Sequence, residues 1–94
     1  MTSGVQIWLR TLLENASVLV QQGEPLCGLL RDVQVVSALA AVEQPEALYD
    51  VACGLRRLVQ RAESLPEWER RQEVDGLLVR FGSLSTDQDH QILL

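Results

Sequence analysis

The stretch VQIWLRTLLENASVLVQQG, residues 5–23, decides the fold. Val5, Trp8, Leu9, Leu12, Leu13, Ala16, Leu19 and Val20 recur at steps of three and four, the spacing that stacks side chains on one face of an α-helix. Gln6, Arg10, Glu14, Ser17 and Gln21 fill the opposite face. The pattern predicts an amphipathic helix over about residues 4–22 with Gly23 as its stop. Ser3, three residues before Gln6, fits a capping box in which each side chain satisfies a free backbone N–H.

Downstream, Pro25 suits a first helical turn, where its missing N–H costs nothing. Leu26, Leu29, Leu30 and Val33 continue at helical spacing, and Asp32 either caps a new helix or sits within a longer one. Residues 33–42 are apolar on every side, with Gln34 and Ser37 the only polar relief. Val33, Val35 and Val36 would suit a strand, but Ala38, Leu39, Ala40 and Ala41 favour a helix. A helix apolar all round belongs at the centre of a domain or in an interface.

Pro45 breaks this run and opens the next helix, whose stripe is Leu48, Val51, Ala52, Leu55, Leu58, Val59 and Ala62. Glu46 and Asp50 lie early and Arg56, Arg57 and Arg61 late, as the helix dipole favours. Ser64 with Glu67 reads as a second capping box, and Val74, Leu77, Leu78 and Phe81 form the stripe that follows. Gly82 reads as a left-handed stop, and Ser85 with Gln88 as a third box opening a last helix. The expectation is an all-α fold, a compact bundle of five or six short helices forming one domain over residues 1–94.

Composition narrows the function classes. The 94 residues are 47% hydrophobic and 22% charged, too apolar for a disordered chain. Two cysteines, Cys27 and Cys53, are too few for a disulfide scaffold. No uncharged apolar run reaches the length of a membrane span, and Arg10 interrupts the early apolar stretch, so neither a span nor a secretory signal is expected and the reading is cytoplasmic. All 8 basic residues are arginine, set against 13 Asp+Glu for a net charge of -5.

Catalytic chemistry finds little support. His90 is the single histidine and lies three residues after Asp87; one imidazole and one carboxylate make neither a triad nor a three-ligand metal site. Glu67, Glu69 and Glu73 stand among arginines as solvated charge. No phosphate-cradling glycine loop occurs. The reading is non-catalytic, with no cofactor and no metal. A nucleic-acid module would use Arg57, Arg61 and Arg70, but its presenting helix begins with Glu46 and Asp50, and the overall charge opposes counterion release.

What remains is apolar surplus. Ile7 and Val18 flank the first stripe, and Cys53 points away from the Leu55/Leu58 line. Trp68 lies roughly 80–140° from the Val74, Leu78 and Phe81 stripe and is surrounded by charged neighbours, the composition of an interface hot spot. Ile92, Leu93 and Leu94 form an apolar chain end that must dock somewhere. The expected function is a small protein-interaction module, an adaptor, chaperone or regulatory subunit, that buries aliphatic helix faces against a partner or itself. Trp68, Arg71, Ile92 and Leu93 are its candidate contacts.

Overall fold

The computed structural model describes residues 4–43 and 46–93, with side chains as far as residue 84. Among the described residues the secondary structure is helical throughout, with no strand. There are four α-helices: α1 (Gly4–Gln21), α2 (Leu30–Ala40), α3 (Glu46–Arg61) and α4 (Glu67–Leu93). Single 3-10 turns, Cys27–Leu29 and Ala62–Ser64, lead into α2 and close α3.

The all-α class therefore stands, but the expectation of five or six helices is corrected to four. Two causes account for the difference. The segment after Pro25 forms only one 3-10 turn before α2 begins. Gly82, expected as a stop, is carried inside α4: among the described residues Gly23 is the only glycine with positive φ. A glycine inside a helix costs about 1 kcal/mol relative to alanine. Phe81, which is buried, and Leu84, which packs on the core, lie on one face either side of Gly82 and hold the helix through it. Ser85 accordingly falls inside α4 and opens no new helix.

Helix ends follow local chemistry. Gly23 (φ 72) takes the left-handed conformation after α1. Its N–H donates to the Val20 carbonyl at 3.2 Å and the Glu24 N–H to the Leu19 carbonyl at 2.8 Å, the paired bonds of a Schellman stop. Ser64 departs from expectation. Its hydroxyl donates to the Arg61 carbonyl at 2.7 Å and so finishes α3, while α4 starts from the Pro66 carbonyl, which accepts from the Arg70 N–H at 3.1 Å. The Ser64/Glu67 box is thus not formed, because Ser64 lies too far before the first turn of α4 to reach it. Ser3, the expected partner of Gln6, lies outside the described residues.

The helices pack chiefly in the cyclic order α1, α2, α3, α4, with a slight α1–α3 contact across the middle. Gly23, after α1, faces Glu67 at the start of α4; Ser37 meets Arg56 across α2 and α3; and Arg61, ending α3, meets Glu73 near the start of α4. The ends of α1 and α3 both lie beside the first part of α4, so α4 runs antiparallel to each of them. Leu9, Leu13, Leu26, Leu48, Leu55 and Leu58 are the largest fully buried side chains in the core. Each such side chain stabilises the fold by roughly 1.5–3 kcal/mol. Gln6, expected on the polar face of α1, is buried instead. No buried side-chain nitrogen or oxygen among the described residues lacks a partner.

Candidate functional site

The ring arrangement determines what α2 leaves outside. With only α1 and α3 beside it, one side of α2 is covered: Val33, Val36, Ser37 and Ala40 are buried. α2 is therefore not enclosed at the centre of the domain, the first of the two places expected for so apolar a helix. Val35 (44% exposed) and Leu39 (43%) lie on the far side of α2, and Val42 (86%) continues their line in the turn beyond. Spacing of four and then three residues makes this one continuous aliphatic stripe about two turns long. Ser37 is held inside by two bonds, its hydroxyl donating to the Gln34 carbonyl at 3.0 Å and accepting from Arg56 Nη1 at 3.4 Å.

On another face, α3 and α4 line an open groove of about 690 Å³. Gly54 sets its floor. A Cβ at this position would stand 2.7 Å from Leu77 Cδ2 and 3.2 Å from Arg80 Nη2, so the absence of a side chain lets the two helices approach closely. Arg56, Arg57 and Arg61 from α3 and Arg80 from α4 line the groove with Asp50 and Glu73. Arg61 Nη2 donates to Glu73 Oε1 at 3.3 Å. Both side chains are largely exposed, and such a pair contributes about 0–1 kcal/mol. Arg57 and Arg80 have no hydrogen bond or ion pair among the described residues.

Cys53 lies on the outward side of α3, as its position in the sequence indicates, yet it is only 6% exposed and stands outside the main core. Tyr49, one turn earlier, covers it. The Tyr49 hydroxyl is held above the ordinary phenol range, first by donating a hydrogen bond to the Cys53 side chain. The charge Cys53 would carry at such pH and slight burial act in the same direction, while Arg56 and Arg57 oppose them. Cys27 is exposed, and both thiols are free.

The residues expected to make contacts fall in different places. Trp68 is 66% exposed on the outer face of α4. Arg71 is exposed and borders a smaller cleft with Ser17, Gln21 and Asp75. Ile92 and Leu93, like Asp87 and His90, fall in the last part of α4, where side chains are not described. Arg57 and Arg61 share the α3/α4 groove, whereas Arg70 is spent locally, its Nε donating to the Leu65 carbonyl at 3.0 Å. The three arginines thus do not form one surface. Arg56 and Arg80 are the members of the basic cluster absent from the arginine set expected from the sequence. Gly54, a glycine in the middle of an otherwise well-formed helical stripe, was the available signal.

Among the described residues no group of three or more His, Cys, Asp or Glu could hold a metal ion, and no helix is long and apolar enough to cross a membrane. No family model, curated protein or solved structure matches the chain.

Proposed function

We propose that this chain is a small non-catalytic module that binds another protein, burying the Val35, Leu39 and Val42 stripe against an amphipathic helix of its partner. The observation that carries this reading is the stripe itself: aliphatic side chains at helical spacing on the solvent side of α2, which none of the chain's other described helices covers. Helix-in-groove recognition uses the same four-and-three spacing of anchors. A different partner suits the stripe better than a second copy, because two chains of net charge -5 repel each other. Trp68, with Arg71 one turn further along α4, offers a second contact of the kind that concentrates binding energy. The two free thiols suit a reducing compartment, the cytoplasm. An adaptor, a chaperone for a second chain and a regulatory subunit all act in this way.

Leu39→Glu tests the proposal. Leu39 is outside the core, so helical dichroism and melting should be nearly unchanged. Tagged wild-type chain recovered from its native source should carry a stoichiometric partner that Leu39→Glu loses. A partner held equally by both forms, or a bare monomer at high micromolar concentration with none recovered, overturns the reading. Concentration-dependent dimers abolished by Leu39→Glu would replace the foreign partner with a second copy.

A further inference from the structure

The α3/α4 groove is a separate face, and its chemistry differs from that of the stripe. Its volume of about 690 Å³ falls in the range of ligand-binding clefts. Arg57 and Arg61 stand one turn apart on α3, and Arg80 reaches across from α4 to lie over Gly54. Four arginines against two carboxylates give the lining a charge of +2; since the whole chain is -5, everything outside the groove amounts to -7. The groove is thus a basic slot in an acidic molecule, and two of its guanidinium groups, those of Arg57 and Arg80, are unengaged among the described residues.

The geometry points to an acidic segment of a partner protein as the occupant, one carrying two carboxylates a helical turn apart, held by Arg57 and Arg61 on α3 with Arg80 facing them from α4. Side chains one turn apart on a helix are about 5–6 Å from each other, which is also the spacing of Arg57 and Arg61. Arginine pairs with carboxylates through two parallel N–H···O bonds, among the stronger polar contacts in water. Nucleic acid fits less well. A duplex carries a charge about every 1.7 Å and would overrun this slot onto like charge, whereas a short acidic segment ends with the groove. The inference does not depend on the α2 stripe.

The test uses the full chain and a fluorescein-labelled helical peptide with two glutamates four residues apart in an alanine and glutamine background, read by anisotropy. Its control has glutamine at both positions. The glutamate peptide should bind and the control should not, and added salt should weaken binding. Arg57→Gln with Arg80→Gln should reduce affinity at least about tenfold; neither side chain makes a bond whose loss would unfold the chain. Arg57→Lys with Arg80→Lys should restore part of it. Leu39→Glu should leave it within about twofold, as expected of a mutation remote from the groove. Equal binding of the two peptides, or no effect of the double substitution, overturns the assignment, as does loss of binding in Leu39→Glu. A short DNA duplex that displaces the peptide at lower concentration overturns the choice of a protein segment. Self-association abolished by the arginine substitutions would make the occupant a second copy and overturn the choice of a foreign partner.

Discussion

Two glycines in regular helix, Gly54 in α3 and Gly76 in α4, form a matched pair for testing how tightly α3 and α4 are packed. Replacement by alanine gains about 1 kcal/mol of helix propensity at either site. Around Gly76 the space is open, with nothing within 4 Å of a new Cβ. Gly76→Ala should therefore stabilise the fold by about 1 kcal/mol, or roughly 4–8 °C in melting temperature for a chain of this size. At Gly54 the same methyl would lie 2.7 Å from Leu77 Cδ2, and Leu77 is itself buried at 5% exposure. Overpacking of this kind costs about 1–3 kcal/mol. The net effect of Gly54→Ala is then between neutral and about 2 kcal/mol destabilising. Thermal and urea melts followed by far-ultraviolet dichroism give both values under one set of conditions. If Gly54→Ala stabilised the chain as much as Gly76→Ala, the helices would not be in close approach at this point, and the account of the groove floor would fail.

Gly23→Ala should destabilise by about 1–2 kcal/mol, because φ 72 is strained for a residue with a Cβ and the space around it, with Glu67 Oε1 at 3.5 Å, is not the obstacle; a urea melt with an unchanged slope would show this, and a neutral result would refute the Schellman stop. Tyr49 is the only tyrosine, so phenolate absorbance reports it alone. Its midpoint should lie above that of the unfolded chain and fall towards it in Cys53→Ala, since the bond to Cys53 is the largest cause of the rise. By linkage, a raised phenol contributes stability that is present below the unfolded midpoint near 10 and lost as pH climbs through the folded one, so Tyr49→Phe should flatten the alkaline limb of the stability profile.

α1 was legible almost residue by residue, because a strong apolar stripe and a glycine stop agree. The α4 boundary was not. Gly82 and Ser85 carry ordinary end signals, and the burial of Phe81 and Leu84 on either side overrides them. Ser64 shows a related ambiguity: a hydroxyl between two helices can serve either one, and here it serves α3. The outward direction of Cys53 and its neighbour Tyr49 one turn earlier were visible on a helical wheel, but its burial was not, since the groove it lines is made together with α4. Arg80 entered the basic cluster for the same reason. A wheel describes one helix, and the groove exists only where two of them approach.

The cyclic helix order has a kinetic meaning. Three of the four main seams join helices consecutive in the chain, and apart from a slight α1–α3 contact the α1/α4 seam is what brings distant residues together. Loop-closure entropy for that last seam rises slowly with length. Topologies dominated by such local pairings cross their barrier in microseconds to milliseconds. The chain can therefore assemble as a row of hairpins that closes once, with its first and last helices acting as the clasp.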